Sequence, residues 1–386
     1  MGEQVRGSVL VVNAGSSSLK LSLVDTDDVV TERRDVDNWD GTAEEPALRA
    51  YLGQLAASAR PPAAIGHRVV HGGTLFTTAT QITDPVRAGI ASLTPLAPLH
   101  QPRALAGIDA AAAVFGNLPQ VACFDTAFHA GLPAEASTYP LPASWREEYG
   151  LRKFGFHGLS HSYASRRTAE MLNVLNNLNI LDINQFRAVT CHLGAGSSLA
   201  AVQAGRSVET TMGFTPVDGL VMATRSGSVD PGMIAWLAAR VPPSELADAL
   251  EFRSGLAALA GLPDGSGDFK AVIEAAERGE PAAKLALAVH EHRLVTAIAA
   301  MAAAMNGMDA LTFTGGIGEH SAVVRAHAAA RLGFLGVAVD PDRNAAASAD
   351  ADISAEGALV RTLVVTAGED VEIARAVADV LRTQSG

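Results

Sequence analysis

Short apolar runs along the chain each end in a turn that is rich in glycine or serine and carries polar residues. Two of these segments share one plan. An apolar run at 9–12 leads through a serine-rich turn into a second apolar run, and 189–191 leads through Gly194 and Gly196 into another. Each segment predicts a β-hairpin. Glycine at a strand end lets backbone N–H groups approach a phosphate, because no Cβ blocks them. The pattern therefore indicates a phosphoryl-transfer enzyme with two domains.

Helical and extended patterns alternate over the rest of the chain, which predicts an α/β architecture. A strand is expected at 120–124, after an alanine-rich helix within 85–118. Apolar residues at helical spacing predict a last helix over 371–382. Three further apolar runs that end in glycine-containing turns occur at 65–73, 311–319 and 363–370.

Prolines make the stretch 131–149 look like an irregular connection, and hence a domain junction. We predict a first domain at 1–130 that is closed by the C-terminal helix 371–386, and a second, nucleotide-binding domain at 131–370. If the last helix packs back on the first domain, both crossings lie beside a cleft, where ligands usually bind. The asparagine-rich stretch 173–184 is expected to be a surface excursion.

The 386 residues exceed what one hydrophobic core usually organises, which also supports two domains. A formal net charge of −12 argues against a nucleic-acid or anionic-membrane partner, so any phosphate site must be built locally. Cys123 and Cys191 lie in apolar runs and are expected to be small buried side chains, not a disulfide or a zinc site. No secretory signal is visible, and the apolar stretch 294–305 is too short to span a bilayer, so we expect a buried core helix there and a cytoplasmic protein.

Several familiar catalytic motifs are absent from the sequence, which has no P-loop, no complete dinucleotide-binding glycine loop and no serine-hydrolase elbow. His157 and His161 could face one metal ion if their segment were helical. Gly155 and Gly158 make a regular helix doubtful at its start, and no acidic residue stands between the histidines. A ligand-facing imidazole and a structural hydrogen bond both stay open here.

Taken together, these segments resemble the acetate kinases, within the wider superfamily of acetate and sugar kinases, Hsp70 and actin. The resemblance implies a two-domain actin-like ATPase fold with a duplicated ribonuclease H-like core and the active site in the interdomain cleft. It also implies a homodimer that reversibly transfers a phosphoryl group from ATP to acetate, giving acetyl phosphate and ADP, on the way to acetyl-CoA. The matching segments follow the family's order at 11–23, 67–73, 95–102, 123–129, 152–161, 192–198, 210–232, 313–321 and 369–375.

The resemblance also implies roles for individual residues toward the nucleotide. Asn13 and Glu369 would lie near Mg²⁺, which Mn²⁺ could replace, and Lys20 would lie beside the phosphates. Three loops would hold ATP, and they consist of His192, Leu193, Gly194, Ala195, Gly196, Asp268, Phe269, Lys270, Gly316, Ile317, Gly318, Glu319 and His320.

For the carboxylate substrate, the resemblance implies that Arg68 and Arg225 neutralise acetate and the transferred phosphoryl group. Both lie in glycine-rich settings. His157 would donate to the charge that develops at phosphorus. Asp125 is the family's assigned acid/base residue. Because acetate is already ionised at neutral pH, we predict instead that Asp125 orients Arg68, His157 or the metal. The pocket for the acetate methyl group would be formed by Val70, Leu99, Phe156 and Pro216.

Two other functions stay in view. A propionate kinase is the nearest alternative, because one extra methylene changes binding in an apolar pocket by only about 1–3 kcal/mol. The other alternative is an Hsp70- or actin-like ATPase switch, in which Arg68 and Arg225 would have no carboxylate substrate to bind. Four sites depart from the usual family pattern and put ligand affinity in question, namely Ala195 for asparagine, Lys270 for arginine, Ser228 for aspartate and Ala367-Gly368 for Thr-Asn or Thr-Asp.

Overall fold

Each of the two predicted hairpins begins a six-stranded mixed sheet, and each sheet is the centre of one structural unit. The computed structural model describes residues 7–15, 18–37, 39, 41–173 and 185–384. The first unit comprises Met1–Ala130, Phe156–Tyr163 and Gly368–Gly386, and the second comprises Gly131–Gly155 and Ala164–Ala367.

The strands are β1 (Val9–Ala14), β2 (Ser18–Val24), β3 (Val30–Asp37), β4 (Ala64–Val69), β5 (Thr80–Gln81), β6 (Gln120–Phe124), β7 (Arg187–Leu193), β8 (Ser197–Gln203), β9 (Arg206–Thr210), β10 (Ala310–Thr314), β11 (Ala351–Asp352) and β12 (Arg361–Val364). The helices are α1 (Pro46–Ala56), α2 (Asp84–Ser92), α3 (Gln101–Phe115), α4 (Ala134–Ser137), α5 (Ala143–Tyr149), α6 (Gly158–Met171), α7 (Pro231–Ala238), α8 (Pro243–Phe252), α9 (Gly255–Ala260), α10 (Phe269–Glu277), α11 (Pro281–Ala304), α12 (Gly315–His320), α13 (Ala322–Arg331), α14 (Pro341–Ala346) and α15 (Glu369–Gln384).

The sheet of the first unit has the order β3-β2-β1-β4-β6-β5, in which β1, β4 and β6 run parallel. Successive side chains of β1 point to opposite faces, and both faces are covered by helices. Leu10 and Val12 pack with apolar residues of α1 and α3. Val9 and Val11 pack with Ile373 of α15. The predicted strand at 120–124 is β6, and the predicted last helix is α15, so both predictions are confirmed.

The sheet of the second unit repeats this plan. Its order is β11-β12-β10-β7-β8-β9, so that an antiparallel pair of strands, β8 and β9, extends from β7 just as β2 and β3 extend from β1. The strands β7, β10 and β12 run parallel, and a short antiparallel strand closes the far edge in both sheets. The same pairing scheme in the same chain order confirms the predicted duplication and the two-unit α/β fold.

The core of the second unit contains α11, the longest helix in the described part of the chain. The predicted core stretch 294–305 lies largely within it, and Leu294 and Ile298 are fully buried in the main apolar cluster. The helix as a whole has 24 residues, because it begins at Pro281, ahead of this apolar stretch. Among the described residues it is the single helix long and apolar enough to cross a membrane by those two criteria, which core helices of soluble proteins also meet.

One part of the second unit differs from the sequence prediction. The stretch 131–149 is not irregular throughout, because Pro133 and Pro142 each stand at the N-cap of a short helix, α4 and α5. Proline fits there, since the first turn of a helix has no partners for its N–H groups. Residues 174–184, which include most of the predicted asparagine-rich excursion, lie outside the described residues.

The unit boundaries also differ from the predicted domain boundaries. Residues 156–163 belong to the first unit, where Leu159 packs in the cluster of Val9 and Ile373. The C-terminal segment of the first unit begins at Gly368, and Asp370 accepts a hydrogen bond from Ser22 Oγ at 2.7 Å.

Candidate functional site

An arginine–aspartate pair lies at the carboxyl ends of the parallel strands in the first unit. Arg68 lies in β4, and Asp125 directly follows β6. The guanidinium donates from Nε to Asp125 Oδ1 at 3.0 Å and from Nη2 to Oδ2 at 2.6 Å. The Asp125 side chain is 2% exposed and that of Arg68 is 17% exposed. Two parallel hydrogen bonds fix the plane of the guanidinium, so the geometry supports the predicted orienting role of Asp125 toward Arg68.

The same arginine is joined to the two residues predicted to lie near the metal. Arg68 Nη1 donates to Asn13 Oδ1 at 3.2 Å, and Asn13 Nδ2 donates to Glu369 Oε2 at 3.4 Å. Asn13 is the neighbour of Arg68 across the parallel β1–β4 pair, and Glu369 is the first residue of α15. The strand register and one helix start therefore bring together four of the predicted site residues.

Electrostatics keep the Arg68 guanidinium charged in this setting. Burial alone would lower the pKa of Arg68, but the nearby carboxylates of Asp125 and Glu369 outweigh it and raise the pKa above its ordinary value. The predicted phosphate ligand Lys20 is exposed and lies opposite Asn13 in the antiparallel β1–β2 register. Residues directly opposite each other project from the same face of a sheet, so Lys20 belongs to the same side of the sheet as Asn13.

The segment around His157 is held against Asp125 through the backbone. Gly158 N donates to Asp125 O at 3.0 Å, and a Cβ at Gly158 would lie 2.1 Å from that oxygen. His157 has φ +55°, in the left-handed region that costs a non-glycine residue about 1–3 kcal/mol. His157 O accepts from His161 N at 2.9 Å, so α6 begins immediately after it. This strained backbone fixes the direction in which the side chain of His157 leaves the chain at the start of α6.

The residues predicted to form the pocket for the acetate methyl group are apolar and differ in burial. In the first unit, Val70 and Phe156 are buried and Leu99 is exposed. The ring of Phe156 contacts His71 edge-on, with centroids 5.4 Å apart, and His129 Nε2 lies 3.1 Å from Phe156 O. Pro216 is half-buried in the second unit.

Arg225, in the second unit, differs from Arg68 in what compensates its charge. Its Nη1 donates to Pro216 O at 3.3 Å and lies 3.9 Å from Met222 Sδ. Within the ranges that the structure describes, no carboxylate lies within salt-bridge distance of this guanidinium. Burial lowers the pKa of Arg225, and the charge of Glu251 offsets this only in part. A half-buried cation with neutral partners is well suited to bind an anionic ligand.

The three predicted nucleotide loops meet in the second unit. The turn after β7 is closed by Gly194 N, which donates to Gly196 O at 3.1 Å. Gly194 and Ala195 from this turn, Asp268 and Phe269 at the start of α10, and Ile317 of α12 all line one pocket of about 120 Å³. Of the remaining predicted loop residues, Leu193 and Gly318 are buried, His192, Gly196 and Glu319 are half-buried, and Lys270, Gly316 and His320 are exposed.

The loop at 316–320 is held by residues on both sides. Glu319 Oε1 accepts from Gly315 N at 3.1 Å and from Ala367 N at 3.0 Å. Arg325, which is 1% exposed, donates to Gly318 O at 2.8 Å and to Glu319 O at 2.7 Å. Nothing in the sequence singles out Arg325, because an arginine in an alanine-rich helix normally faces solvent. It satisfies the carbonyl groups at the end of α12, which have no partner within the helix.

Two of the departures from the family pattern have local explanations. Ser228 Oγ donates to Asp218 Oδ1 at 2.6 Å, so the side chain at this position contacts Asp218. At Gly368, a Cβ would lie 2.3 Å from the ring of Tyr163, so that ring occupies the space of a side chain.

The oxygen ligands of the first unit suit a magnesium ion that arrives with the nucleotide. Asn13 and Glu369 offer a carboxamide and a carboxylate oxygen, and Mg²⁺ is commonly bound by one or two carboxylates together with waters and substrate phosphates. The described part of the chain holds no cluster of three or more histidine, cysteine, aspartate or glutamate side chains that could bind a metal. Cys123 and Cys191 are buried and free, as predicted.

Comparison with known proteins extends these observations to the whole chain. The model of the acetokinase family matches residues 27–375. The chain is 44% identical over 411 residues to the acetate kinase of Synechococcus sp. (strain JA-2-3B'a(2-13)), covering 97% of this chain and 99% of that protein. Acetate kinase of Porphyromonas gingivalis has a TM-score of 0.86 at 32% identity, covering 97% of this chain and 100% of that one. A propionate kinase from Francisella tularensis subsp. tularensis SCHU S4 has a TM-score of 0.85 at 32% identity, with coverages of 96% and 98%.

Proposed function

The chain belongs to the acetokinase family, and from that premise we propose that it is an acetate kinase. The reaction is reversible transfer of the γ-phosphoryl group of ATP to acetate, giving acetyl phosphate and ADP. The observation that carries this proposal in the structure is Arg225, a half-buried cation with no carboxylate within salt-bridge distance among the described residues. Its free charge suits an anionic acceptor or the phosphoryl group that moves to it.

Arg68 and Asp125 supply a second, fixed cation. The carboxylate of Asp125 is fully used in holding the guanidinium, which leaves Arg68 rigid at the moment of reaction. Acetate is ionised at neutral pH and needs no base to become a nucleophile. We therefore assign Asp125 a positioning role. Phosphoryl transfer depends mainly on positioned charges and donors, and a fixed guanidinium is such a group.

His157 is proposed to donate a hydrogen bond to the phosphoryl group in the transition state. Its left-handed backbone and the hydrogen bond from Gly158 to Asp125 hold the Cα–Cβ bond of His157 in one direction, which supports this role. A preorganised donor costs no reorganisation during the reaction, which is why such groups contribute strongly to catalysis.

Lys20, Asn13 and Glu369 are proposed to serve the phosphates. Lys20 would bind a phosphate oxygen, and Asn13 and Glu369 would hold Mg²⁺ or Mn²⁺ through their oxygen atoms. The ion would neutralise charge on the phosphate oxygens when it is bound. The turn 192–196, the start of α10 and the loop 316–320 would bind the nucleotide, as their shared pocket supports.

Propionate is the second candidate substrate. The solved propionate kinase has the same 32% identity to this chain as the solved acetate kinase, and TM-scores of 0.85 and 0.86 do not separate the two acids. Val70, Leu99, Phe156 and Pro216 are the proposed walls of the methyl pocket, and an extra methylene there is worth about 1–3 kcal/mol.

The test is to mix purified protein with Mg-ATP and acetate, propionate or butyrate in parallel, and to trap acyl phosphate with hydroxylamine. We expect the strongest hydroxamate signal with acetate and its loss in Arg225→Ala. The strongest signal with propionate would move the assignment to a propionate kinase. ATP turnover without any hydroxamate would refute carboxylate kinase activity.

We further propose a cytoplasmic homodimer whose contact includes α7. No residue of α7 is buried, although its sequence is almost entirely apolar. Trp236 is 57% and Met233 is 44% exposed, and Phe252 of α8 is 48% exposed. An exposed apolar face of this kind commonly marks an interface, and a second copy would cover it by twofold symmetry.

Light scattering after gel filtration tests the dimer. Wild-type protein should elute as a dimer, and Trp236→Glu should give monomers. Trp145→Glu is the matched control, because Trp145 is 53% exposed on α5. A wild-type monomer, or a Trp236→Glu dimer as stable as the control, would refute this interface.

A further inference from the structure

The pocket formed by the three predicted nucleotide loops also contains a histidine that the sequence did not suggest. His290 lies on α11 and lines this pocket of about 120 Å³. Pockets for whole ligands of drug size are commonly about 300–1,000 Å³, so this one has room for a single ring system of a larger ligand. The inference drawn from it rests on the proposed function, which supplies a nucleotide.

The pocket walls are apolar apart from this histidine and a few loop groups. Val221, Leu256 and Phe269 are all buried, and the lining includes no lysine or arginine. The His290 ring lies 5.0 Å from the Phe269 ring, between centroids, at a tilt of 59°. An apolar pocket without cations does not suit phosphate, but it suits the faces of a flat heterocycle.

The imidazole of His290 is the exception that points to a ligand. The residue is 2% exposed, and its Nδ1 has no hydrogen-bond partner in the described part of the chain. A buried polar atom without a hydrogen-bond partner destabilises the folded protein, and a ligand that pairs with it removes that cost. Burial also lowers the pKa of His290 to about 4, so the ring is neutral at physiological pH. A neutral imidazole has one donor and one acceptor nitrogen.

We propose that the imidazole of His290 hydrogen-bonds the edge of the purine base of the nucleotide and so favours purine over pyrimidine nucleotides. The edge of a purine carries ring nitrogens and exocyclic groups that can pair with a donor or an acceptor. Its faces would pack against the apolar walls, among them Phe269. A pyrimidine base is smaller, and it would place its polar edge further from α11.

The experiment compares His290→Leu with wild type and with His292→Leu. His292 is exposed two residues further along the same helix, so the control makes the same chemical change outside the pocket. The KM for ATP, GTP and CTP is measured at saturating acetate, the KM for acetate at saturating ATP, and the Kd for ADP by calorimetry. We expect His290→Leu to raise the KM for ATP and the Kd for ADP by about tenfold, the loss of one hydrogen bond to a buried partner. The KM for CTP and for acetate should stay near wild type, and His292→Leu should match wild type throughout.

Two results would overturn the inference. One is an ATP KM and ADP Kd within about twofold of wild type in His290→Leu, and the other is an equal rise for ATP and CTP, which would indicate a purely structural residue. If His290→Leu does not fold, His290→Phe keeps a flat ring without a donor or acceptor nitrogen and carries the same comparison. Failure of the proposed function is separate, because it would appear as wild-type protein that forms no acyl phosphate, and ADP binding would then test His290 alone.

Discussion

Arg68 in the first unit and Arg225 in the second are predicted site residues whose charges have different partners. The charge of Arg68 is paired with a carboxylate, whereas the hydrogen-bond partner of Arg225 is neutral. Arg68 has a bidentate aspartate partner that is itself buried. Arg225 has a backbone carbonyl and a thioether, and burial lowers its pKa. A buried cation without an anion destabilises the ligand-free protein, and binding of an anion removes that cost. The same residue type is therefore held in place by a carboxylate at Arg68 and has only neutral hydrogen-bond partners at Arg225.

This contrast predicts opposite effects on stability from the same substitution. Arg68→Gln leaves the Asp125 carboxylate buried and unpaired, and should lower the free energy of unfolding by about 3–5 kcal/mol. Arg225→Gln removes an uncompensated charge and should leave stability unchanged or slightly higher, while kcat falls by about 10²–10³. Urea unfolding and hydroxamate kinetics on both variants measure this. Equal destabilisation by the two substitutions would contradict the assignment of Arg225.

The positioning role of Asp125 makes a prediction about pH dependence. Asp125→Asn cannot hold the guanidinium by two charge-assisted bonds, so kcat should fall by about 10–10². The shape of the kcat profile between pH 5 and 8 should stay as in wild type, because no proton is taken from acetate. If the wild-type profile has an acidic limb that disappears in Asp125→Asn, Asp125 acts as a general base and the positioning role is wrong.

At the scale of elements, the site of the first unit is a product of strand register. Asn13 and Arg68 are neighbours across the parallel β1–β4 pair, and Asp125 follows the next parallel strand. The carboxyl ends of parallel strands meet at one edge, which is where ligands bind in open α/β sheets. The start of α6 joins this edge through Gly158, and the start of α15 joins it through Glu369.

Substitution of Gly158 tests the contact between the start of α6 and the edge of the sheet. In Gly158→Ala the new Cβ would lie 2.1 Å from Asp125 O, so the backbone must shift and carry His157 with it. We expect kcat to fall by at least about tenfold, since a displacement of about 1 Å in a site can cost 10²-fold. Gly131→Ala is the control, because no atom lies within 4 Å of its added Cβ. If the kinetics of Gly158→Ala match those of the control, the contact between Gly158 and Asp125 does not position His157.

The sequence predicted helices and strands better than it predicted contacts between side chains that are distant in sequence. Both hairpins, the strand β6 and the helix α15 follow from local periodicity and glycine placement, and the structure confirms them. The sequence does not predict the helices α4 and α5, because closely spaced prolines are typical of irregular segments. Proline is nevertheless favoured at the start of a helix, and that is where Pro133 and Pro142 lie. Arg325 and His290 could not be selected, because their significance lies in burial and in contacts distant in sequence.

At the scale of the whole molecule, one sheet plan is used twice with different site residues on its loops. The first unit carries the carboxylates and the Arg68 pair, and the second carries the glycine turns and Arg225. The formal net charge of −12 means that anionic ligands are attracted only where such cations are concentrated. The duplicated fold therefore provides the framework, and the loops determine the function.

Buried neutral histidines should make the stability of the molecule sensitive to acid. Burial lowers the pKa of His67 to about 4, below the ordinary value of 6.5. Between these values the unfolded chain binds the proton and the folded chain does not, so stability falls as pH decreases from 6.5 toward 4. The contribution of His67 approaches about 1.4 kcal/mol per pH unit. Urea unfolding measures the free energy of unfolding at pH 5 and at pH 6.5. This free energy should change less between the two pH values in His67→Gln than in wild type. An equal change in both proteins would show that His67 does not contribute.

The central claim is that the phosphoryl group of ATP moves directly to a carboxylate oxygen of acetate. The most direct measurement is phosphorus NMR of a reaction with Mg-ATP and acetate whose carboxylate carries heavy oxygen. We predict an acetyl phosphate resonance with an isotope shift from the heavy bridging oxygen, together with ADP in equal amount. Inorganic phosphate and ADP without labelled acetyl phosphate would contradict the account.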